Sequence, residues 1–235
     1  MQAKNLPACL FNLLVKRWSK PLVTRIFEFV IIDTEHGPFG PETDVKLVRA
    51  ADAADMVSVI RVPENTEIAV TKALDTGTSG IVVPGISNVQ DARKAVKYAK
   101  YAPIGSRGAC PCVRANRYGV GDSTYYRRAN EDTSVILLIE GKEGLQSFEE
   151  ILNVEYVDAI LLGPVDLSHS LGVPGDIYNP KVVNALSNMM KKAKNKDICV
   201  GIFSVDTERA KECLKLGADY VVYNTDTMLF YEACR

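Results

Sequence analysis

The sequence has almost no net charge and no long apolar run. Its 235 residues include 28 lysines and arginines against 29 aspartates and glutamates, which gives a formal net charge of -1. That balance provides no attractive field for nucleic acid or for an acidic membrane surface. No apolar run approaches the ~20 residues needed to span a bilayer. We therefore expect a soluble, cytoplasmic protein whose partner is a small-molecule substrate, with no nucleic acid and no membrane involved.

Paired cysteine motifs are also missing. The six cysteines form no CxxC motif and have no zinc-type spacing with the histidines, of which there are only two. Among the cysteines, Cys199 lies in an apolar run typical of a buried strand. Reduced thiols are therefore the simplest interpretation. A redox or soft-metal role for Cys110-Pro111-Cys112 is the alternative, although proximity alone establishes neither.

What the chain does have is a regular alternation of short apolar runs with amphipathic stretches. The candidate strands are Cys9–Val15, Phe29–Asp33, Val57–Val62, Gly80–Pro84, Ser134–Glu140, Ala159–Gly163, Ile198–Phe203 and Tyr220–Tyr223. Most connections space their apolar residues three and four apart, as helices do. Alternating strands and helices predict an α/β protein with a parallel sheet. Eight such repeats favour one closed (β/α)8 TIM barrel domain over residues 1–235.

About residues 105–132 interrupt this pattern. The stretch is rich in Gly, Arg and Tyr and has no long apolar period. Insertions of that length in a compact domain are usually functional or form contacts between subunits. We expect an insertion here.

In a parallel barrel, reacting groups lie where the strands end. His36 follows one apolar run, Arg61 closes another, and Glu140 and Asp166 follow two more. Two buried carboxylates raise each other's pKa unless a cation lies between them. Oxygen ligands favour Mg²⁺ or Mn²⁺ over zinc, and so few protein ligands leave positions open for water and substrate. The alternative is that Glu140 and Asp166 cap the following helices or pair with basic residues.

The other strand-end residues each allow two interpretations. The planar fork of Arg61 suits a substrate carboxylate, but a structural ion pair is equally consistent with a lone arginine. His36 is a candidate base or a hydrogen-bonded loop histidine, whereas His169 is expected to be solvated. Among the lysines, Lys142 alone comes near a strand end, so metal stabilisation of an enolate is favoured over imine chemistry.

Five motifs carry a resemblance to a known family. They are Asp33-Thr34-Glu35-His36-Gly37-Pro38, Leu74-Asp75-Thr76-Gly77, Pro103-Ile104-Gly105-Ser106-Arg107-Gly108, Ile139-Glu140 and Gly163-Pro164-Val165-Asp166-Leu167-Ser168. From about residue 20 to the C-terminus, the chain resembles the HpcH/HpaI aldolases, the metal-dependent class II pyruvate aldolases. The resemblance implies a phosphoenolpyruvate/pyruvate-type barrel, assembled as a hexamer of two trimers. It also implies reversible cleavage of a 4-hydroxy-2-oxo acid to pyruvate and an aldehyde through a metal-stabilised enolate.

The resemblance further implies a role for each matching residue. Glu140 and Asp166 look like ligands of a divalent ion (Mg²⁺, Mn²⁺ or Co²⁺), and Arg61 like the residue that holds the pyruvate oxygens. His36 looks like the base and Asp75 like the partner that raises its basicity. The turn Gly163, Pro164, Val165 and Asp166 would meet the pyruvate carboxylate.

One residue departs from the family pattern. The family usually has glutamine two residues before the metal-binding glutamate, where it reaches the pyruvate, and Leu138 takes that place here. Loss of an amide contact should weaken or alter substrate binding. Leu138 is therefore included among the substrate-binding positions.

Two further functions are consistent with the same residues. The first keeps the metal enolate but forms it by decarboxylating oxaloacetate. The second is a non-catalytic barrel that binds a 2-oxo acid. Leu138 makes this alternative credible, because it replaces the glutamine that reaches the pyruvate in the family. Metal-dependent proton exchange at the pyruvate methyl group would distinguish them, because an enzyme that forms the enolate should show exchange and a binding barrel should show none.

Overall fold

A computed structural model of the chain describes residues 6–11, 27–120 and 122–235. It is a (β/α)8 barrel. Eight parallel strands pair in chain order, and the last strand pairs with the first to close the barrel. The strands are β1 (Leu6–Phe11), β2 (Phe29–Asp33), β3 (Val57–Arg61), β4 (Gly80–Val83), β5 (Ser134–Ile139), β6 (Ala159–Leu162), β7 (Cys199–Ser204) and β8 (Tyr220–Thr225).

The described helices follow the strands and surround the barrel. They are α1 (Pro41–Asp52), α2 (Glu67–Asp75), α3 (Val89–Ala99), α4 (Tyr125–Asp132), α5 (Lys142–Gln146), α6 (Phe148–Ile151), α7 (Pro164–Ser170), α8 (Pro180–Lys194), α9 (Thr207–Leu216) and α10 (Asp226–Ala233). Side-chain oxygens of Thr66, Asn88 and Asp206 accept hydrogen bonds at the starts of α2, α3 and α9. Local sequence therefore fixes where these helices begin. Within the described ranges, no helix is both long and apolar enough to cross a membrane.

Seven of the eight predicted strands agree with the structure to within two residues at each end. The prediction for the first strand, Cys9–Val15, was wrong at its start, since β1 begins at Leu6. Residues 12–15 of that prediction lie outside the described ranges. Pro7 explains the error, because a proline within an apolar run argues against a central strand. In the structure, Pro7 nevertheless lies within β1 and is the register partner of Val221 on β8.

Two apolar layers follow from the two-residue period of the strands. Along β5, Ile136 and Leu138 point into the barrel, whereas Val135, Leu137 and Ile139 point outward to the helices. The inner cluster is small and is built from one or two residues each of β2 to β8, among the residues that the structure describes. The outer cluster is much larger and forms the main core. Because side chains alternate along a strand, the residue two positions after Leu138, Glu140, is directed toward the barrel axis at its open end.

The stretch at residues 105–132 connects α3 to β5 and therefore lies at the end of the barrel where the strands begin. It contains a 3₁₀ helix, Arg114–Gly119, and then α4. The buried Lys100 fastens it to the barrel, since its Nζ donates to the carbonyl oxygens of Asn130 (2.9 Å) and Thr133 (2.6 Å). Burial lowers the pKa of Lys100. Within one chain, this stretch is far from the carboxyl ends of the strands.

Candidate active site

A cavity of about 210 Å³ opens at the carboxyl ends of the strands. Eight of the residues singled out from the sequence line it: His36, Arg61, Leu138, Glu140, Gly163, Pro164, Val165 and Asp166. The remaining lining residues are Ile31, Leu161, Leu162, Phe203, Val222 and Thr225. The cavity thus brings an imidazole, a guanidinium and two carboxylates together with a largely apolar wall.

Arg61 is held by two carboxylates that sequence reasoning left without a role. Its Nε and Nη2 donate to the two oxygens of Asp33, each at 2.7 Å, in a bidentate pair. Its Nη1 lies 3.2 Å from Glu35 Oε2. Asp33 is fully buried, so the pair is shielded from water. Three of the five N–H groups of the guanidinium face these partners, which leaves two for a ligand.

Asp33 also shapes the loop that carries His36. Its Oδ1 accepts hydrogen bonds from the backbone N–H groups of Glu35 (3.1 Å) and His36 (3.3 Å). The imidazole of His36 is exposed and lies at the mouth of the cavity. The other histidine, His169, is exposed on α7 and is not among the lining residues. One aspartate therefore orients both the guanidinium and the loop.

Glu140 is the most strongly perturbed of the carboxylates around the cavity. Burial raises its pKa to about 7, and the negative charges of Glu35 and Asp166 add to the shift. A hydrogen bond from the Gly85 N–H to its Oε1, at 3.2 Å, acts in the opposite direction. Burial also raises the pKa of Glu35, and the charge of Arg61, whose Nη1 lies 3.2 Å from Glu35 Oε2, opposes that shift. Carboxylates that crowd one site without enough positive charge are the expected surroundings of a bound cation.

The donor set suits a hard divalent ion with few protein ligands. In the described ranges, no three His, Cys, Asp or Glu side chains are arranged to hold one ion. Glu140 and Asp166 would therefore supply two carboxylate ligands, and water or substrate oxygens would fill the other positions. Oxygen-only coordination of this kind fits Mg²⁺ or Mn²⁺ better than zinc.

The turn after β6 depends on a glycine. A Cβ atom at Gly163 would lie 2.8 Å from Glu140 Cβ and 3.2 Å from Glu140 Oε2. Any larger residue would displace Glu140. Gly163 therefore allows the Pro164–Asp166 turn to approach Glu140 closely enough for both carboxylates to face one cavity.

Asp75 does not join the cavity within one chain. Its Oδ1 accepts from Arg107 Nη2 at 2.9 Å, and the Arg107 guanidinium stacks 4.6 Å from the Tyr101 ring. The physical reason is helix direction, because α2 runs antiparallel to the strands and its last residue lies where the strands begin. The expected partnership of Asp75 with His36 is therefore not made in the single chain.

The architecture and this cavity define the class of protein: a (β/α)8 barrel with an acidic site at the carboxyl ends of its strands. The family model for "HpcH/HpaI aldolase/citrate lyase" matches residues 20–233. The chain belongs to the HpcH/HpaI aldolase/citrate lyase family.

Similar proteins agree with that assignment. A hydroxypyruvate/pyruvate aldolase of Sagittula stellata is 31% identical over 88% of this chain and 81% of its own length. A 2-keto-3-deoxy-L-rhamnonate aldolase of Salmonella gallinarum is 32% identical over 88% of this chain and 78% of its own. A crystal structure of an HpcH/HpaI aldolase/citrate lyase family protein from Burkholderia cenocepacia J2315 superposes on this chain with a TM-score of 0.95. That protein is 30% identical to this chain and covers 99% of it, with 93% of its own length matched.

Proposed function

We propose that this protein is a divalent-metal-dependent aldolase that reversibly cleaves a 4-hydroxy-2-oxo acid to pyruvate and an aldehyde. The observation that carries the proposal is the position of Glu140 and Asp166 in the same cavity as Arg61 and His36, in a chain whose relatives are aldolases. Glu140 and Asp166 are the residues that would hold the ion. A bound Mg²⁺ or Mn²⁺ supplies positive charge that polarises the oxygens of the 2-oxo acid.

The chain's own side chains have distinct tasks in this proposal. The two N–H groups of Arg61 that Asp33 and Glu35 leave unused donate to the 2-oxo acid and stabilise negative charge that develops on it. The Pro164–Asp166 turn lies against the carboxylate end of the substrate. The wall of Ile31, Leu138 and Leu161 excludes water from the carbon chain.

His36 handles the proton. In the cleavage direction, it accepts the proton of the C4 hydroxyl, directly or through one water, as the C3–C4 bond breaks. The C4 oxygen becomes the aldehyde carbonyl, and the electron pair of the broken bond passes to C3 and the 2-oxo group. In the condensation direction, His36 returns the proton to the new hydroxyl.

The first test is a condensation screen. Pyruvate is incubated with a panel of aldehydes with and without Mg²⁺, Mn²⁺ and Co²⁺, and the hydroxy-oxo acids are measured. We expect products that depend on the ion and are lost on chelation. Pyruvate release from oxaloacetate is assayed in parallel. If oxaloacetate alone reacts, the protein is a decarboxylase. If no substrate reacts and the pyruvate methyl protons do not exchange, it is a binding barrel.

The second test uses the two histidines. His36→Ala should lose at least about a hundredfold in the rate of retro-aldol cleavage, the usual contribution of a general base, and should keep its Mn²⁺ affinity in calorimetry. His169→Ala is the matched control, since His169 is exposed and outside the lining, and it should retain full activity. Full activity in the His36→Ala variant would remove His36 from the mechanism.

We also propose that the protein is a homo-oligomer, a trimer or a hexamer. Helix α10 supports this, because it has no buried residue among those described and leaves Met228, Phe230 and Tyr231 about half exposed. Apolar side chains exposed together on one helix are typical of a contact surface. Light scattering coupled to size-exclusion chromatography would measure the mass, and a monomer would contradict the proposal.

A further inference from the structure

The turn Cys110-Pro111-Cys112 presents two thiols on the surface and has no task in the proposed reaction. Both cysteines are free and exposed, and Pro111 and Cys112 lie in a turn. The turn belongs to the stretch at residues 105–132, which lies where the strands begin, at the opposite end of the barrel from the cavity. Two exposed thiols separated by a single residue therefore need an explanation of their own.

Hydrogen bonds fix the chain on both sides of this turn. Before it, the buried Arg107 donates from Nη2 to Asp75 Oδ1 at 2.9 Å. After it, Arg114 donates from Nη1 to the carbonyl oxygen of Thr76 at 2.7 Å. Asp75 and Thr76 are neighbours at the end of α2, so both ends of the segment 108–113 are attached to the same point. The thiols are thus carried by a short segment whose ends are held together.

Pro111 limits the conformations of the chain between the two sulfur atoms. A proline ring fixes φ at about -65°. The Cα atoms of residues two positions apart are at most about 7 Å apart. Their side chains point to the same face of an extended chain, and a turn shortens the distance between them. Cys110 and Cys112 are therefore suited to bind one ion together, with little conformational entropy lost on binding.

The type and number of these ligands select the ion. Thiolates are soft ligands, which favour Cu(I), zinc or iron–sulfur clusters over Mg²⁺ and Mn²⁺. Structural zinc and iron–sulfur clusters are held by four protein ligands. Among residues 6–11, 27–120 and 122–235, no group of three His, Cys, Asp or Glu side chains is placed to hold one ion. Cu(I) and Ag(I), in contrast, are stable with two sulfur ligands.

We infer that Cys110 and Cys112 form a binding site for one soft monovalent cation of the Cu(I) type, held between their two sulfur atoms. Binding displaces a proton from each thiol. The dithiolate complex keeps one negative charge, which water solvates because both residues are exposed. The cation enters and leaves in the same oxidation state. This site is independent of the proposed aldolase function, since hard Mn²⁺ prefers the oxygen ligands of Glu140 and Asp166.

The test is a competition for Cu(I). The protein is reduced with a phosphine, kept under argon and titrated with Cu(I) in the presence of bathocuproine disulfonate, whose colour reports the copper that this chelator holds. We expect one Cu(I) per chain to be withheld from the chelator and to give a sulfur-to-copper charge-transfer band in the ultraviolet. An excess of Zn²⁺ should leave this copper in place, and displacement by zinc would overturn the two-ligand assignment.

Serine variants locate the site. Cys110→Ser and Cys112→Ser each leave one thiol and should bind Cu(I) at least about a hundredfold more weakly, because two linked ligands gain about 10²–10⁴ in affinity over one. Cys234→Ser is the matched control, since Cys234 is an exposed thiol with no second cysteine beside it, and it should bind Cu(I) as the unmodified protein does. Unchanged affinity in either of the first two variants, or loss in the control, would overturn the inference.

The mass of the complex distinguishes this site from an ion shared between chains. Light scattering before and after the titration should give the same mass. An increase in mass with one Cu(I) for every two chains would show that thiols of different chains bind the ion, and this result would also overturn the inference.

Discussion

Position 138 places a leucine where a polar contact to the substrate is expected. Leu138 is 3% exposed and packs beside Leu161, its register partner on β6. Leu138→Gln should add an amide that hydrogen-bonds to pyruvate, so we expect pyruvate to bind about 3- to 10-fold more tightly, the value of one net hydrogen bond. Calorimetry in the presence of Mn²⁺ would measure the affinity. Leu138→Met keeps the size without the polarity, and equal affinities for the two variants would show that polarity at this position is irrelevant.

Glu140 predicts how the metal-free protein responds to pH. Its pKa rises from the ordinary 4.5 to about 7 on folding, mainly through burial. Between these values the folded chain binds more protons than the unfolded chain, so the free energy of unfolding falls as the pH rises from about 4.5 to about 7. In chelator, Glu140→Gln should remove this contribution, of the order of 1 to 2 kcal/mol. Urea unfolding at pH 5 and pH 8 would measure it, and an identical pH dependence in both proteins would contradict the prediction.

The strand-end rule found the charged residues and the histidine that line the cavity but missed two carboxylates that organise it. His36, Arg61, Glu140 and Asp166 were accessible from sequence because each follows an apolar run. Asp33 and Glu35 were visible in the same motif, yet nothing in a linear sequence shows that Asp33 faces Arg61. That pairing depends on the register between β2 and β3. Knowing that register would have identified Asp33, whereas Glu35 lies beyond the end of β2 and is positioned by the loop.

At the scale of one element, the turn after β6 sets the geometry of the acidic pair. Gly163→Ala would place a Cβ 2.8 Å from Glu140 Cβ, so Glu140 must move and Mn²⁺ should bind at least about tenfold more weakly, a loss of about 1.4 kcal/mol. Gly40→Ala is the matched control, because Gly40 also precedes a helix and a Cβ there meets nothing within 4 Å. Equal Mn²⁺ affinity in both variants, measured by calorimetry, would refute this account.

Elements were predictable where local pattern and tertiary structure agree. Apolar runs identified the buried parallel strands, since both faces of each are covered. The start of β1 was missed because Pro7 lies within it, and a proline is unusual in a central strand. The partnership of Asp75 with His36 stays a prediction that came from the family motif, because a shared motif shows that a residue is present but not what it contacts. Helix direction, read from the alternation of elements, places it at the far end from His36.

For the molecule as a whole, we propose that residues 1–235 form a single cooperative domain. Closure of the barrel by β1 and β8 links the two ends of the chain, so loss of one strand opens the ring. Thermal unfolding followed by far-ultraviolet circular dichroism and by the near-ultraviolet signal of tyrosines such as the buried Tyr220 should therefore give coincident transitions. Separate transitions would indicate independently folding parts.

The bound ion should stabilise the same transition. At a Mn²⁺ concentration 100 times its dissociation constant, the free energy of unfolding should rise by about 2.7 kcal/mol. Glu140→Gln removes one proposed ligand and should abolish most of the increase, whereas His169→Ala should keep it. An equal increase in the Glu140→Gln variant would place the ion elsewhere.

The ion pair between Asp33 and Arg61 has a consequence for how the barrel assembles. These residues are direct register partners at the last position of β2 and β3. If β2 slipped by one residue, its aspartate would be buried opposite a different neighbour, and its apolar side chains would exchange faces. A misaligned strand would thus trap an uncompensated charge, which is strongly unfavourable. The ion pair that orients the guanidinium for a ligand therefore also disfavours misaligned strand pairings during folding. Mutations of Asp33 or Arg61 made to alter specificity should lower the folding yield as well.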